Sequence, residues 1–453
     1  MNENNNNPVI VRLPPSPTGF LHVGNVRTLL FNYLFAKKHG GKIVLRSEDT
    51  DKERSKPEYE AYMKEALTWL GITWDEFYRQ SDRTEIYQEY IQKLIDEDKA
   101  YVSEETPTEE QKKRAEEEGR TLRTSVIRFR NTGETVTFSD EVLGEISVDT
   151  TDLGDFVIAK DMDTPLYHLT VVVDDFLMGI THIIRGNDHV ANTPRQILLQ
   201  QAIGAPRPMY AHLPLIVGKD GKKLSKRHGN TATLDYRDEL GILPEAMVNF
   251  LAFLGWNPGD EREVFTAEEL VQEFTLQRLQ KGQAVFNEEK LRWINKEHLN
   301  RLSDDVYQKA AQPFLGHLSQ HDLTSILPII RERTQVLGDL RSDIEAGEYD
   351  YFFETPVYEA PEKIVWKKGT QEDSLRHLQH VLGVLEGAEW AAPEDMKELL
   401  WDYAEAEGKG DVLWPLRFSL SGKDRSPDPF TLLATLGKEA SLERINNAIK
   451  ALS

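Results

Sequence analysis

Short apolar runs alternate with helical periodicity over the first 70 residues, and this alternation constrains the fold more than any other feature. Residues 9–13 and 42–46 have the pattern of short buried strands, whereas residues 25–38 and 58–70 carry apolar side chains at helical spacing. Pro57 suits the first turn of the second helix. Strands and helices in this order predict a parallel sheet, whose ligands lie at the carboxyl ends of its strands.

The pattern changes twice further along the chain. Between about residues 101 and 181, β-like runs at 126–130, 134–138 and 156–159 alternate with turn residues, which predicts an inserted region. Helical periodicity returns at 194–203, and an extended segment at 212–217 leads into a lysine-rich loop, so the sheet is expected to resume. From residue 243 onward the pattern is mainly helical. A chain of 453 residues should therefore form about two to four folding units.

Composition excludes several kinds of chemistry. The absence of cysteine rules out disulfides, thiol nucleophiles, iron–sulfur clusters and zinc sites with cysteine ligands. A formal charge of −22 argues against a general coat for nucleic acid, although it is compatible with a local basic face. No apolar run reaches the roughly 18 residues of a membrane span, and the start MNENNNNP lacks the features of a secretory signal. We therefore expect a soluble cytoplasmic protein without membrane contact, whose residues 1–7 form a disordered tail.

A histidine lies between two glycines at the point where the first strand is expected to turn into a helix. In PSPTGFLHVG, residues 15–24, Gly19 and Gly24 permit close backbone approach. The helix that begins near Asn25 offers N–H groups and a positive dipole end to an anion. A lone histidine is usually structural, but this context makes His22 a candidate phosphate ligand. The chain lacks GxxxxGK[ST], so this motif is not a P-loop.

The second candidate is a basic loop, KKLSKR, at residues 222–227. Basic hexapeptides are common on protein surfaces, so the loop alone indicates little. Together, the two motifs resemble the HIGH-like and KMSKS-like elements of class I aminoacyl-tRNA synthetases, which here are HVGN and KLSKR. Longer strings are similar to bacterial-type glutamyl-tRNA synthetases in particular: RLPPSPTGFLHVG, LRSEDTDKERS, TPLYHLTVVVDDFLMGITHIIRGNDHVANTPRQ, KKLSKRHG and LWPLRFSLSGKDRSPDPF.

The resemblance spans nearly the whole chain and implies an α/β fold, a Rossmann-type catalytic domain with an α+β insertion, followed by all-α C-terminal domains. The implied catalytic halves are residues 8–100 and 191–242, separated by an insertion at 101–190 that binds the acceptor end of tRNA. A helical stem-contact domain at 243–325 and an α-helical anticodon-binding domain at 326–453 would follow. An acidic protein of this kind can still present a basic face to tRNA.

The implied enzyme is a ligase that joins L-glutamate to tRNA-Glu at the expense of ATP. The α-carboxylate of glutamate attacks the α-phosphate of ATP, pyrophosphate leaves, and the glutamyl group passes to the terminal ribose of the tRNA. Neither step needs a protein nucleophile, because the requirement is positioning and stabilisation of negative charge. The resemblance gives these tasks to His22, Lys223, Lys226 and Mg²⁺, and Lys226 is the strongest single candidate.

Recognition of glutamate needs cations for its side-chain carboxylate and an anion for its ammonium group. By resemblance, Arg12 and Arg185 hold the γ-carboxylate, Glu48 holds the ammonium, and Ser16 and Tyr167 make further polar contacts. Glutamine would leave guanidinium donors partly unpaired, so it should be rejected. Taken singly, the arginines could form surface ion pairs and Glu48 could cap the next segment, but their joint match disfavours this. The resemblance assigns ATP contacts to Gly24, Asn25, Asp188, Leu215, Ile216 and Lys226.

Two departures from the family pattern affect these expectations. Asn25 replaces the last histidine of the HIGH element, which leaves a phosphate contact there open, and YVSEETPTEEQ lacks the zinc-binding cysteines of some members, so no zinc is expected. The alternatives are a glutaminyl-tRNA synthetase, a shortened paralogue that glutamylates a tRNA base, and a non-catalytic tRNA-binding paralogue. The sequence leaves open whether tRNA-Gln is also charged and whether activation needs bound tRNA. It also leaves the oligomeric state open, although family members are usually monomers.

Overall fold

The computed structural model describes residues 8–106, 108–109, 124–222, 232–367, 369–390 and 392–453, which divide into two units, Met1–His298 and Leu299–Ser453. The strands of the first unit are β1 (Ile10–Leu13), β2 (Lys42–Ser47), β3 (Glu76–Arg79), β4 (Ala100–Glu104), β5 (Ser125–Phe129), β6 (Thr135–Asp140), β7 (Gly144–Asp149), β8 (Phe156–Ala159), β9 (His182–Gly186), β10 (Met209–Leu213), β11 (Ile216–Val217) and β12 (Ala284–Val285).

Helices cover the sheet and form most of the second unit. In chain order they are α1 (Val23–Lys38), α2 (Pro57–Trp69), α3 (Thr84–Asp96), α4 (Tyr167–Leu177), α5 (Thr193–Ile203), α6 (Asp235–Asp238), α7 (Pro244–Ala252), α8 (Ala267–Glu273), α9 (Glu288–Arg301), α10 (Asp304–Ala311), α11 (Leu327–Arg333), α12 (Leu337–Glu345), α13 (Gln371–Gly387), α14 (Pro393–Glu407), α15 (Lys409–Ser421) and α16 (Pro429–Leu452). In the ranges that the structure describes, none of these helices is both long and apolar enough to cross a membrane.

The parallel sheet confirms the prediction from the alternating apolar runs. β2 pairs in parallel with both β1 and β3, and β9 pairs in parallel with β10. The N–H of Thr181, just before β9, donates to the carbonyl of Ile10, so β1 and β9 lie side by side. Val11, Leu13 and residues 43–45 are fully buried, as expected for strands covered on both faces. The carboxyl ends of β1, β2, β9 and β10 therefore lie along one edge of the sheet.

The inserted region contributes one further sheet and a hairpin that extends the main sheet, as its β-like runs predict. β4, β5 and β8 form an antiparallel sheet, with a register shift between Ile127 and Arg128. β6 and β7 form an antiparallel hairpin, in which Asp140 lies opposite Gly144. The end of β6 also contacts the main sheet, because Asp140 pairs with Tyr210 of β10. The hairpin thus reaches the strands that end at the ligand edge.

Helix α4 differs from the sequence prediction, which placed only β-like runs before residue 181. Its sequence, YHLTVVVDDFL, contains three consecutive valines, and β-branched residues favour strands. The helix contacts α3 and α5, and residues 169–175 are all buried. Tertiary burial has overridden local propensity here, and it brings two aspartates, Asp174 and Asp175, into the interior.

The second unit is helical, which confirms the expectation for the C-terminal part of the chain. Helices α13 to α16 enclose an apolar core that includes Leu378, Leu400, Leu416 and Ile445. Each such leucine contributes roughly 2 kcal/mol through burial. The backbone of α16 leaves helical geometry at Gly437, with φ 76°, which marks a kink. The charge-rich sequence of residues 109–118 predicts a solvated helix face, but these residues fall mostly outside the described ones.

Candidate active site

A cavity of about 430 Å³ opens at the carboxyl ends of β1, β2, β9 and β10. It is lined by every site residue predicted from the sequence except the loop lysines: Arg12, Ser16, His22, Gly24, Asn25, Glu48, Tyr167, Arg185, Asp188, Leu215 and Ile216. These residues are separated by up to 204 positions in the sequence, since Arg12 and Ile216 mark the ends of the set. Lys223 and Lys226 lie outside the described residues.

Arg12 extends from β1 into this cavity. Its side chain is only 3% exposed, and its Nε lies 3.4 Å from Oδ1 of Asp175. Among the described residues, neither Nε nor Nη1 of Arg12 has a hydrogen-bond partner. A buried guanidinium that retains donors without partners is costly unless a ligand supplies acceptors. Arg12 is therefore placed to receive an anionic group.

Arg185 lies at the carboxyl end of the sheet on β9 and is 5% exposed. Its Nε, Nη1 and Nη2 donate to Nε2 of His212 at 3.1 Å, Oε1 of Gln196 at 2.7 Å and Oγ1 of Thr193 at 2.8 Å. All three partners are neutral groups, and no described carboxylate lies within 4.0 Å of this guanidinium. Burial lowers the pKa of Arg185, and the positive charge of Arg12 lowers it further. An anion between the two guanidinium groups would relieve this unfavourable arrangement.

Glu48 follows β2 directly, and its side chain is 10% exposed. Its Oε1 accepts a hydrogen bond of 3.0 Å from Nη2 of Arg46, and its N–H donates to the carbonyl of Pro15. Burial raises the pKa of Glu48 above its ordinary value, although Arg46 and Arg12 oppose this rise. The carboxylate is thus a buried anion that a substrate cation would stabilise.

A buried ion network supports Arg12 and Glu48, and the sequence reasoning did not identify it. Arg46 is fully buried and donates to Oδ1 of Asp175 at 2.7 Å as well as to Glu48. Asp174 accepts from Arg83, Tyr87 and Gln80. Burial by itself lowers the pKa of Arg46, but the surrounding carboxylates raise it above its ordinary value. The available signal was the pair of aspartates inside the apolar run VVVDDFLMG, because charges in such a run must be paired.

His22 caps the N-terminus of α1. Its Nδ1 accepts the N–H of Gly24 at 2.9 Å, and its carbonyl accepts the N–H of Asn25 at 2.9 Å. The expectation that this helix end offers N–H groups to an anion must be revised, since these two N–H groups are already engaged. In a neutral imidazole whose Nδ1 is an acceptor, Nε2 carries the proton. The helix dipole and an Nε2–H donor therefore act at this end of the cavity.

The two glycines of this motif differ in their surroundings. A Cβ on Gly24 would lie 3.2 Å from Nδ1 of His22, so a side chain there would press on the capping ring. A Cβ on Gly19 would meet nothing within 4 Å. Crowding by His22 thus explains why position 24 is a glycine. No described atom crowds position 19, so the described residues do not explain the glycine there.

The residues expected near adenosine lie along one side of the cavity. The Asp188 side chain is exposed and approaches the backbone of Gly186, where a Cβ would collide with its Oδ1. The carbonyl of Leu215 accepts the N–H of Ala284 at 3.1 Å, and that of Val217 accepts from Phe286. Because backbone groups alternate along a strand, those of Ile216 point to the opposite edge of β11. Ile216 is therefore the better placed of the two predicted adenine contacts.

Tyr167 and Ser16 lie where this cavity meets a second one of about 650 Å³, which both residues also line. The hydroxyl of Tyr167 is 3.2 Å from Nδ1 of His189. Burial lowers the pKa of His189 to about 4, so its ring is neutral at physiological pH. Burial also raises the pKa of Tyr167, with the charge of Glu48 adding to the rise. Tyr167 is consequently a neutral hydrogen-bonding group between the two cavities.

The residues that follow the basic segment contact the histidine motif. The described chain stops at Lys222 and resumes at Ala232, which forms an antiparallel bridge with His22. The N–H and hydroxyl of Thr233 both donate to the carbonyl of Leu21, and the N–H of Leu234 donates to the hydroxyl of Tyr62. The described chain therefore resumes beside the histidine motif after the segment that carries Lys223 and Lys226, although 210 positions separate Ala232 from His22.

Arg27 is another cavity residue that the sequence reasoning missed. It lies in α1, and its Nη1 and Nη2 donate to the carbonyls of Leu254 and Pro214. Burial lowers the pKa of Arg27 to about 10, although Asp188 opposes this shift. Its position two residues after Asn25 was the available signal. Arg27 joins the start of α1 to the segment that precedes β11.

Comparison with known protein families agrees with this geometry. The family described as tRNA synthetases class I (E and Q), catalytic domain, matches residues 8–125 and 108–293. The chain belongs to this family of class I tRNA synthetases. Residues 306–449 of this synthetase match a second family, described as an anticodon binding domain.

Full-length relatives and solved structures identify the branch of the family. Glutamate–tRNA ligases of Aquifex aeolicus and Thermodesulfovibrio yellowstonii are each 40% identical to the synthetase, with 98% of this chain and 99% and 100% of theirs covered. A crystal structure of a glutamate tRNA ligase from Elizabethkingia meningosepticum in complex with its amino acid is 33% identical, with a TM-score of 0.84. That comparison covers 99% of this chain and 100% of the other.

These comparisons confirm the predicted family, the fold class and the assignment to ligases. Coverage of whole relatives disfavours the shortened paralogue. The similar curated proteins cited above carry the glutamate–tRNA ligase name, which disfavours the glutaminyl and non-catalytic alternatives. The domain boundaries and the roles of individual site residues stay predictions.

Proposed function

We propose that this synthetase attaches L-glutamate to tRNA-Glu with ATP as the energy source. The observation that carries the proposal is the buried guanidinium of Arg185, which has only neutral hydrogen-bond partners and lies with Arg12 in one cavity. Asp175 lies 3.4 Å from Nε of Arg12, but Arg185 has only neutral partners, so a substrate carboxylate would stabilise this pair of cations. The names of the full-length relatives support the same amino acid.

The γ-carboxylate of glutamate binds between Arg12 and Arg185. Arg12 supplies Nη1. A guanidinium has five N–H groups, so Arg185 supplies those that do not donate to His212, Gln196 or Thr193. The amide of glutamine is neutral and would point N–H groups at these donors. The site should therefore reject glutamine strongly.

The ammonium group of glutamate binds Glu48, with Ser16 and Tyr167 as further polar contacts. Glu48 is held by Arg46, and its raised pKa reflects the free-energy penalty of a buried carboxylate. A bound ammonium lowers that penalty, so glutamate and the charged form of Glu48 stabilise each other. The α-carboxylate is then directed away from the arginines and toward the His22 end of the cavity.

The α-carboxylate oxygen attacks the α-phosphorus of ATP, a new P–O bond forms, and the bond to pyrophosphate breaks. Nε2–H of His22 donates to a phosphate oxygen, while the α1 dipole, Lys223 and Lys226 stabilise the negative charge that develops. Asp188 binds the ribose of ATP, and the Ile216 backbone, with Leu215, contacts adenine. Gly24 and Asn25 line the cavity at the helix start and border the phosphates, although His22 already accepts their N–H groups.

The reaction would need Mg²⁺ bound together with ATP. In the part of the chain that the structure describes, no group of three histidine or acidic side chains forms a metal site. The donor set therefore fits an ion held mainly by phosphate oxygens, which is the usual mode for Mg²⁺ beside nucleotides. When bound, the ion neutralises charge on the phosphates.

In the second step, a hydroxyl of the terminal ribose of tRNA attacks the glutamyl carbonyl and AMP leaves with the electron pair. The second cavity, which shares Ser16, Glu48 and Tyr167 with the first, provides a path for this ribose. Residues 101–190 bind the acceptor end, residues 243–325 contact the stem, and residues 326–453 bind the anticodon. Since one chain carries all of these parts, we propose that it works as a monomer in the cytoplasm.

The test is ATP- and tRNA-dependent attachment of labelled glutamate, with separate tRNA-Glu and tRNA-Gln transcripts and glutamine as competitor. Charging of tRNA-Glu alone defines a discriminating enzyme, and charging of both defines a non-discriminating one. Lys226→Ala should lower the charging rate about 100-fold or more, whereas Lys219→Ala, which removes an exposed ion pair with Glu289, should leave it unchanged. Absence of charging with either tRNA would refute the proposal.

A further inference from the structure

Three buried side chains form a chain of hydrogen bonds behind the cavity. Nδ1 of His212 is 2.6 Å from Oδ2 of Asp140, and Nε of Arg185 is 3.1 Å from Nε2 of His212. Asp140 is 2% exposed and His212 is fully buried. Only Arg185, at the end of this chain, lines the cavity.

The surroundings of Asp140 determine the direction of these hydrogen bonds. Its Oδ1 accepts the N–H groups of Val142 at 3.0 Å and Leu143 at 2.9 Å, and its Oδ2 accepts the N–H of His212 at 3.1 Å. Burial alone would raise the pKa of Asp140, but the hydrogen bonds from His212 and Leu143 hold it below its ordinary value. An ionised carboxylate can only accept, so Nδ1 of His212 must carry the proton. Nε2 is then an acceptor and faces the obligatory donor Nε–H of Arg185.

We propose that Asp140 is a positioning residue for glutamate binding: it selects the His212 tautomer whose Nε2 accepts from Arg185. In the other tautomer, the Nε2–H of His212 would face the Nε–H of Arg185, and this Arg185 donor would lose its acceptor, whereas Nε2–H could still donate to the hydroxyl of Thr193, which is 3.2 Å away. The proposal rests on the proposed role of Arg185 toward the γ-carboxylate.

The groups packed around His212 agree with a neutral ring. They are Asp140 on β6, Arg185 on β9, Thr193 at the start of α5 and the stacked ring of Tyr210 on β10. Burial lowers the pKa of His212, and the positive charge of Arg185 acts in the same direction, against the effect of Asp140. The hairpin of β6 and β7 thus provides the carboxylate that orients a side chain of the main sheet.

The test is Asp140→Asn. The carbonyl of asparagine, in the place of Oδ1, can still accept from Val142 and Leu143 and also from the N–H of His212, which lies 3.3 Å from Oδ1. This directs its NH₂ toward Nδ1 of His212 and moves the ring proton to Nε2. We expect the KM for glutamate to rise about tenfold, while the KM for ATP changes less than about twofold. Asp149→Asn is the matched control, because Asp149 is exposed on the same hairpin and only caps Thr151. It should leave both KM values unchanged.

A second variant separates tautomer control from a general structural effect. His212→Gln supplies an amide oxygen that can accept from Arg185 whatever stands at position 140. In this background, Asp140→Asn should change the KM for glutamate by less than about twofold. An equal rise in both backgrounds, or a glutamate KM for Asp140→Asn equal to that of the wild type, would overturn the proposal.

Nitrogen-15 NMR of histidine side chains reads the tautomer without any activity assay. The signal that disappears in His212→Gln identifies His212, and it should report a protonated Nδ1 in the wild type and a protonated Nε2 in Asp140→Asn. A protonated Nε2 in the wild type would overturn the proposal. If the wild type charged no glutamate, the function proposed above would fail, and this spectrum would still test the tautomer assignment.

Discussion

The carboxylate of Asp188 lies over the backbone of Gly186. Its Oδ1 occupies the position that a Cβ would take if residue 186 were not glycine. Gly186→Ala should therefore turn Asp188 away without disturbing the fold, because the Cβ would meet the far end of the Asp188 side chain and not its backbone. If Asp188 binds the ribose of ATP, the KM for ATP should rise about tenfold, with little change in the KM for glutamate or in the melting temperature.

Two comparisons make this prediction specific. Gly282→Ala is the control, since a Cβ there would meet nothing within 4 Å. Gly186→Ala should have no further effect on the ATP KM in an Asp188→Ala background. A further rise of the ATP KM in that background would show that Gly186→Ala does not act through Asp188.

Arg12→Lys should weaken glutamate binding. A lysine ammonium is a compact charge and lacks the spaced, planar donors with which the guanidinium can face Asp175 on one side and a substrate carboxylate on another. We expect the glutamate KM, measured in the charging reaction, to rise about 30-fold or more, and the ATP KM to stay within about twofold. Arg79→Lys, at an exposed ion pair with Glu60, is the matched control. An unchanged glutamate KM would exclude Arg12 from the γ-carboxylate site.

Glu48→Gln should lower the charging activity but raise the stability of the folded protein at neutral pH. Loss of the ammonium partner should reduce charging at saturating tRNA by about 100-fold. Because burial raises the folded-state pKa of Glu48 above its ordinary value, ionisation of this group opposes folding at neutral pH. That penalty is absent below the unfolded pKa and grows as the pH rises through the folded pKa.

Urea unfolding at several pH values tests whether ionisation of Glu48 opposes folding. The glutamine variant should gain stability relative to the wild type as the pH increases from about 4 to 7.5. A variant that is less stable than the wild type at neutral pH would mean that the hydrogen bond from Arg46 outweighs the burial penalty.

Gly422→Ala should destabilise the second unit. Gly422 ends α15 with φ 66°, and a Cβ there would lie 2.8 Å from Cβ of Pro356. Left-handed strain and this contact should together lower the free energy of unfolding by about 1–3 kcal/mol. Urea unfolding of the full chain measures the effect. Gly383→Ala, in α13 with nothing within 4 Å, should be neutral or stabilising by up to about 1 kcal/mol; equal losses in both variants would contradict the argument.

Several elements and the candidate site residues followed from local patterns. The runs at residues 9–13 and 42–46 became β1 and β2, and Pro57 begins α2 as predicted. The motif residues His22, Arg12, Glu48 and Arg185 line one cavity, as the resemblance implied. The valine-rich α4 was missed because periodicity in a segment buried all round does not distinguish helix from strand.

The sequence alone determines that this chain forms a parallel sheet with a histidine motif at a strand-to-helix turn, because side-chain periodicity and motif spacing are local properties. Tertiary structure decided which polar groups are paired. Asp140 and His212 are 72 residues apart, and their hydrogen bond exists only because the β6–β7 hairpin docks against β10. Such long-range pairs depend on burial and on strand register, which are set by the packing of the whole unit and leave no signal in neighbouring residues.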